Sequence, residues 1–330
     1  MSFPLRAAPR IDVRVYLTPA DRREALVRDV RDGLSREPKE LPPKWFYDER
    51  GSELFGRITR LPEYYLTRRE RAILAERART IAAETRADTL VELGAGTSEK
   101  TRFLLDAFSA AGRLRRFVAF DVAEETLRES AVRIADEYPG IAVVAVVADF
   151  DHHLGELPRG GRRLVAFLGS SIGNFGPDER AAFLSTLRAA LGPGETLLLG
   201  IDLVKDPEAL VAAYDDRDGV TAEFNRNLLR VLNRELGADF RPDCFDHVAR
   251  WNAEHEWIEL LLRSRLKQRV SLPGAGLVVH FDRGEELRTE ISAKFRPDGF
   301  RDELAAAGFA VRELWIDPRG DFGLALAAAG

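Results

Sequence analysis

The sequence predicts an α/β protein: a doubly wound, mainly parallel sheet carrying an inserted α+β unit. Three observations predict it. Short apolar runs such as TLVEL (89–93) and AVVAVVA (142–148) have the near-continuous hydrophobicity of strands covered on both faces. Stretches with apolar residues at helical spacing separate these runs, which implies right-handed crossovers between parallel strands. The rhythm stops after Lys205 and resumes only near the end of the chain. At 330 residues there is room for about two domains.

In chain order, residues 1–19 contain three prolines and no helical period, so they read as a loosely held N-terminal arm. A helix is expected over 20–35, where Ala25, Leu26, Val30 and Leu34 recur at helical spacing. The segment 41–70 crowds Trp45, Phe46, Tyr47, Phe55, Tyr64 and Tyr65 among prolines and glycines. Such rings either anchor a loop and helix by packing or line a pocket, and the pattern alone fits both. A helix near 68–85 leads into strands at 89–93, 116–120, 142–148, 163–169 and 196–202. Helices at 99–111, 123–136 and 178–190 separate them. Beyond 205 come helical stretches (208–217 and 222–236) and alternating segments (256–270 and 277–293). A helix (299–307) and two strands (309–317 and 322–328) close the chain. We expect one domain from 63–205 with 295–330, and a second, inserted one from 206–294 with 20–62.

Composition removes several function classes. Asp and Glu number 54 against 49 Lys and Arg, and the arginines fall in short pairs rather than blocks, so no nucleic-acid partner is expected. Cys244 is the single cysteine, which excludes an intrachain disulfide and a cysteine metal cluster. The five histidines show no i, i+4 pair and no HExxH, so no metal is expected. The longest apolar run, 141–148, is far too short to span a membrane, and the first residues lack a secretory apolar core. The expectation is a soluble, cytoplasmic protein with no membrane partner, acting as a monomer.

The sequence Val91-Glu92-Leu93-Gly94-Ala95-Gly96-Thr97 falls where the first strand of the rhythm should turn into a helix. Gly94 permits a tight turn, and Gly96 lets a ligand approach the backbone. In a dinucleotide fingerprint a third glycine would stand at Glu99, where a carboxylate would instead face the phosphates; this disfavours NAD. A ligand with a sulfonium and an amino-acid end but no phosphate fits better, namely S-adenosyl-L-methionine, and Glu92 completes an E-x-G-x-G pattern. Asp121 ends the second strand, where a carboxylate can accept both ribose hydroxyls. Asp149 and Phe150 end the third, placing a carboxylate and a ring beside the adenine. Each Asp would serve equally well as a helix cap. Their recurrence at the carboxyl ends of consecutive strands, where open α/β sheets bind ligands, favours the site. Lys100, on the following helix, either meets a cofactor carboxylate or anchors the turn.

The motifs PPKWFYDERGSELF, LPEYY, ELGAGTSEKT, FLGSSIGNF, AAYDD, VTAEFNRN and ISAKF together resemble the S-adenosylmethionine-dependent histidine Nα-methyltransferase family of ergothioneine biosynthesis. The resemblance runs from about Ala25 to Leu326. It implies a Rossmann-like methyltransferase sheet with a substrate domain, and three methylations of the α-amino group of free L-histidine to give hercynine. By similarity the cofactor residues are Tyr47, Gly94, Lys100, Asp121, Asp149 and Phe150. The histidine residues are Tyr64, Asn174, Tyr214, Glu290 and Ser292, with Phe55 and Gly169 nearby; Asn174 and Tyr64 are the catalytic pair. The chain departs from the family at Leu260 and Ala293, where Met and Cys are expected. Leu for Met nearly conserves volume.

The substrate residues make chemical sense on their own. Asn174 follows the fourth strand of the rhythm, where a methyl acceptor would meet the cofactor, and its amide oxygen can orient an amine without competing as a nucleophile. In LRTEISAKF (287–295) alternation puts Arg288, Glu290, Ser292 and Lys294 on one face, with Glu290 and Ser292 about 7 Å apart. A carboxylate there can accept one imidazole N–H while the hydroxyl serves the other ring nitrogen; a solvated polar face would show the same pattern. Tyr64 and Tyr214 come from separate segments and can hold a carboxylate between them. The rival readings are a methyltransferase for another aromatic amino acid such as tryptophan, which would disfavour Glu290, and a non-catalytic sensor of the adenosyl ligand.

Overall fold

The computed structural model describes residues 11–330, except for the side chain of Asp151. In chain order the strands are β1 (Ile11–Val15), β2 (Lys39–Glu40), β3 (Thr89–Leu93), β4 (Arg116–Asp121), β5 (Ala142–Val147), β6 (Arg163–Phe167) and β7 (Thr196–Asp202). They continue as β8 (Phe245–Asn252), β9 (Trp257–Ser264), β10 (Gln268–Leu272), β11 (Leu277–Phe281), β12 (Glu286–Ala293), β13 (Phe309–Ile316) and β14 (Phe322–Ala329). The helices begin with α1 (Pro19–Leu34), α2 (Glu49–Ile58), α3 (Leu66–Thr85), α4 (Arg102–Ala110) and α5 (Glu124–Glu137). They end with α6 (Phe150–His153), α7 (Pro177–Ala190), α8 (Pro207–Ala212), α9 (Val220–Leu236) and α10 (Pro297–Ala306).

Eight strands form one sheet in the order β1-β5-β4-β3-β6-β7-β14-β13. All neighbours from β1 to β7 run parallel, and β14 enters antiparallel between β7 and β13. From β3 the chain winds outward through β4 and β5, then crosses back to β6 and β7. The winding therefore reverses between β3 and β6, and a crevice opens beyond the carboxyl ends of these strands. Every residue of β3, β6 and β7 is buried. Alternate residues serve opposite cores: Leu90 and Phe117 pack with Leu74 and Phe108, whereas Val91 and Val118 pack with Phe183 and Leu304. Helices thus cover both faces, which is why the strands are apolar throughout.

A four-stranded sheet, β2-β12-β9-β8, and the β10–β11 hairpin form a second layer system. Helices α1, α2 and α9 pack around it. Asp48 joins two of these pieces: its carboxylate caps α2 by accepting from the Gly51 N–H (2.8 Å), and it also accepts from Asn227 and Arg234 on α9 (both 2.7 Å). Beyond β12 the chain returns to the large sheet, where the Phe295 N–H donates to the Asp202 carbonyl (2.8 Å) and the Val204 N–H to the Phe295 carbonyl (3.1 Å). Among the described residues, no helix is long and apolar enough to cross a membrane.

Strands and helices of the parallel region match the sequence expectation to within three residues at each end. Several details differ; the segment expected over 277–293, for one, is two strands, β11 and β12. The expected arm over 1–19 is corrected: Ile11–Val15 is the edge strand β1, paired with Val143–Val147, and Thr18 caps α1; residues 1–10 lie outside the described residues. The helix expected over 208–217 stops at Ala212, because Asp216 turns its carboxylate to the Val220 and Thr221 N–H groups (2.9 and 2.7 Å) at the start of α9. The alternating segment 256–270 is two strands broken at Arg265, and β8 had not been anticipated, its mixed FDHVARWN giving little alternation.

Candidate active site

The glycine turn lies at the carboxyl end of β3. Gly94 (φ +67°) and Gly96 (φ +47°) take left-handed backbone that a side chain would strain. A Cβ added at Gly96 would have no atom within 4 Å, so open space fronts the turn. Asp121, at the end of β4, braces it: one carboxylate oxygen accepts from the Gly96 N–H and the other from the Ala123 N–H, both at 2.9 Å. Burial raises its pKa despite these bonds. The Glu92 carboxyl is pushed up to about 7 by burial, while its bond from the Thr101 hydroxyl acts the other way. Its second oxygen is buried without a hydrogen-bond partner among the described residues. An orphaned carboxylate oxygen beneath an open glycine turn fits the cationic, hydrogen-bond-donating amino-acid end of S-adenosylmethionine.

Phe150 packs beside the turn, 3.7 Å from where a Gly94 Cβ would sit, and stacks on Phe120 with centroids 6.0 Å apart. Asp149 is buried and accepts from Lys44 (3.1 Å), whose ammonium also pairs with Asp29 on α1 (3.2 Å). A narrow cleft beside it is lined by Leu17, Arg22, Trp45 and Val122, so the segment preceding the sheet covers this side of the site. A larger hollow, bounded by Arg159, Arg162 and Gly194, opens at the amino ends of β6 and β7, the edge opposite the glycine turn.

Lys100 anchors rather than projects. Its ammonium pairs with Glu70, a fully buried carboxylate on α3 whose other oxygen accepts from the Gly169 N–H (2.7 Å). Lys100 lies in the turn before α4 rather than on the helix expected there, and Glu70 thereby ties together α3, that turn and the loop after β6. Gly200 on β7 makes room for it: an added Cβ there would overlap the Glu70 carboxylate.

The aromatic segment forms a wall. Tyr47 meets Phe55 edge-on (5.6 Å), Phe55 meets Tyr64 (6.3 Å) and Tyr64 meets Tyr214 (6.1 Å), with Phe224 of α9 behind Tyr47 and Phe55. Burial raises all three phenols well above their usual range, and the Glu290 charge adds to this in each. The ring contacts running from Tyr47 to Tyr214, and the hydrogen bond of Tyr214 to Ser292, bring these phenols to the side of β12 that carries Glu290.

Glu290 and Ser292 lie on β12, opposite Leu260 and Ile258. The single polar face expected from Arg288 to Lys294 is broken by a register shift between Arg288 and Glu290. There Thr289 turns inward, its single hydroxyl proton shared between Asn225 Oδ1 (2.7 Å) and the Leu260 carbonyl (3.0 Å). Glu290 and Ser292 both follow the break and keep their common side. The Glu290 carboxyl is raised to about 7 by burial, with Lys294 opposing, and has no hydrogen-bond partner among the described residues. Ser292 shares a 2.8 Å hydrogen bond with the Tyr214 hydroxyl. Asn174 ends a short 3₁₀ turn (Ser171–Asn174) that packs against β12: a Cβ at Gly173 would lie 2.8 Å from the Ala293 carbonyl oxygen.

Five residues of this region were given no role by the sequence reading, although Tyr65 and Lys294 fell within its patterns: Glu70, Tyr65, Asp202, Lys205 and Lys294. Asp202 ends β7 fully buried and accepts from Lys294 (2.9 Å), Lys205 (2.5 Å) and the Tyr65 hydroxyl (2.9 Å). Its backbone N–H donates to Ser170 (2.9 Å). One signal was available: Asp202 ends a strand of the parallel rhythm, as Asp121 and Asp149 do.

A model of the family described as "Histidine-specific methyltransferase, SAM-dependent" matches residues 26–329. The chain is 58% identical over 312 residues to the histidine N-alpha-methyltransferase of Mycolicibacterium smegmatis, spanning 94% of this chain and 97% of that protein. It is 57% identical over 319 residues to the protein of the same name from Mycobacterium tuberculosis, spanning 97% and 99%. Ergothioneine biosynthesis protein 1 of Neurospora crassa is 35% identical over 205 residues, which is 61% of this chain and 23% of that protein. With its glycine turn, buried acidic residues and packed tyrosine wall on a matching sequence of this extent, the chain belongs to the S-adenosylmethionine-dependent, histidine-specific methyltransferase family.

Proposed function

We propose that this enzyme methylates the α-amino nitrogen of free L-histidine three times, giving hercynine in the first step of ergothioneine biosynthesis. One observation carries the reading. Glu290, a carboxylate without a hydrogen-bond partner among the described residues, shares its space with Tyr47, Tyr64 and Tyr214. A basic imidazole supplies the N–H donors that such a carboxylate lacks.

When bound, S-adenosylmethionine supplies a methyl group on a good leaving group. In this reading Asp121 accepts the ribose hydroxyls through its remaining lone pairs, Asp149 and Phe150 meet the adenine, and Gly94 and Gly96 admit the amino-acid end. Tyr47 completes that pocket, and Lys100 supports it from behind through Glu70 and the loop after β6. Tyr64 and Tyr214 hold the histidine carboxylate, Glu290 and Ser292 hold its ring, and the Asn174 amide oxygen orients the amine, with Gly169 and Phe55 alongside. The chain's main contribution is alignment of nitrogen with the methyl–sulfur bond. A free α-amine titrates near ~8 and lower still in a desolvated site beside a positive charge, so no strong base is required. The rings of Tyr47 and Phe55 favour the growing cation as methyls replace N–H donors. The same reading assigns 63–205 and 295–330 to the cofactor domain and 20–62 and 206–294 to the substrate domain. A single chain provides both residue sets, which suits a monomer.

Mass spectrometry of the purified enzyme with S-adenosylmethionine and a panel of free amino acids tests the proposal. Histidine should acquire one, two and then three methyl groups in preference to every other amino acid. Faster methylation of tryptophan, or binding without turnover, would overturn it.

A further inference from the structure

Lys294 is fully buried, and all three of its ammonium protons are committed. They go to Asp202 Oδ2 (2.9 Å), Tyr214 Oη (3.0 Å) and Ser292 Oγ (2.8 Å). Asp202 also binds Lys205, and the Glu290 carboxylate opposes Lys294 as well, so the cluster is formally balanced and the positive charge nearest the hydroxyls is the Lys294 ammonium itself. That charge lies directly behind the two hydroxyls, which are 2.8 Å apart and bonded to each other.

The count of protons has a consequence. Lysine only donates, so each hydroxyl oxygen accepts one bond from Lys294. One hydroxyl proton is used between Tyr214 and Ser292, leaving one to point elsewhere. If Tyr214 donates outward, Ser292 must donate to Tyr214, and its remaining lone pair accepts. An anion at Tyr214 selects this arrangement, because it requires a donor and is favoured by the charge behind it.

We infer that Lys294 is a positioning residue: anchored by Asp202, it sets the donor and acceptor roles of the Tyr214–Ser292 pair and so makes the enzyme select an amino acid with a free α-carboxylate. The inference rests on the proposed placement of the substrate carboxylate at Tyr214. It also links the two ends of the substrate, since the arrangement that donates to a carboxylate leaves Ser292 able to accept a ring N–H.

The test compares L-histidine with L-histidinamide, which has no carboxylate charge, in the wild type and in Lys294→Met. The ratio of catalytic efficiencies and the ratio of calorimetric dissociation constants are both read, the latter with S-adenosylhomocysteine present. The wild type should prefer L-histidine. In Lys294→Met that preference should fall by about tenfold or more, as Tyr214 and Ser292 lose the charged donor that fixes their roles, while S-adenosylhomocysteine affinity stays within about twofold. A general loosening of the site would lower both substrates together, so an unchanged ratio overturns the inference and leaves the proposed function standing. A wild type that does not distinguish the two substrates overturns both the carboxylate placement and the role of Lys294. If Lys294→Met does not fold, Lys294→Gln removes the charge while its amide can still donate within the cluster and Asp202 keeps Lys205 as a partner, and the same ratio decides.

Discussion

Replacing Glu290 by Gln should make the ligand-free enzyme more stable at about pH 8 while weakening its use of histidine. Burial raises the Glu290 carboxyl from 4.5 to about 7. At about 1.4 kcal/mol per pH unit, that gap corresponds to roughly 3 kcal/mol. This is a ceiling, because the side chain keeps partial contact with solvent. The folded state holds the proton more tightly than the unfolded chain, so stability falls as pH rises through the window from 4.5 to about 7. Below that window both states are protonated and the cost is absent; above it the cost is fully expressed. Glu92, also raised to about 7, adds a second contribution in the same window that the variant retains. Glu290→Gln keeps the shape but abolishes the charge, so it should gain about 1–3 kcal/mol at pH 8, or several degrees in Tm at about 2–4 °C per kcal/mol. Near pH 5 the gain should shrink towards zero. Thermal unfolding at both pH values measures this, and an equal gain at both, or none at pH 8, would refute a desolvated carboxylate. The cost appears in catalysis: losing a charge-assisted bond to the imidazole is worth about 1.5–3 kcal/mol, or roughly tenfold to hundredfold in kcat/KM for histidine. Tryptophan should be affected far less. Equal losses for both amino acids would mean that Glu290 supports β12 rather than reading the ring.

Three further substitutions separate the parts of the site. Asp121→Ala should weaken S-adenosylmethionine binding, measured by calorimetry, in a protein that remains folded; unchanged affinity would reduce Asp121 to a brace for Gly96 and Ala123. Asn174→Ala should slow single-turnover methyl transfer at saturating cofactor more than it weakens cofactor binding, and a near-wild-type rate would remove Asn174 from the mechanism. Gly200→Ala should destabilise the fold by about 1–3 kcal/mol through overpacking against Glu70, with a loss of cofactor affinity as Lys100 is released; a Tm equal to wild type would show that Glu70 can move without consequence.

The parallel region was legible because burial on both faces leaves a strand little choice of residue, as Leu90 to Leu93 and Val143 to Val147 show. Strand β1 was hidden because an edge strand needs few apolar residues, and IDVRV lies among prolines. The glycine turn, Asp121 and the alternation of Glu290 with Ser292 followed from spacing. The bulge at Thr289 did not, since it depends on Asn225, 64 residues away in sequence. Lys100 was seen but not its partner: Glu70 looks like any charged helix residue until Gly200 is seen to leave space for it. For Tyr64, Tyr214 and Asn174 the pattern was ambiguous, and family resemblance rather than periodicity singled them out.

The buried charges at Asp202 need a reason, because an apolar seam of the same volume would be as stable or more so. The reason lies in what meets at this one carboxylate. Ser170 brings the loop that carries Gly169 and Asn174, Tyr65 brings the start of α3 beside Tyr64, and Lys294 brings β12 with Ser292 and, through it, Tyr214. Each arrives from a different part of the chain. Apolar contacts are non-directional and would hold these segments together while leaving the hydroxyls of Tyr214 and Ser292 free to rotate. Hydrogen bonds from a fixed ammonium specify which lone pairs are occupied, and a hydroxyl so constrained meets its ligand already oriented. Transfer to an amine demands that nitrogen, carbon and sulfur stay in line through three successive products of growing bulk. A directional network behind the pocket can hold that line while the substrate's own hydrogen bonds are lost one by one.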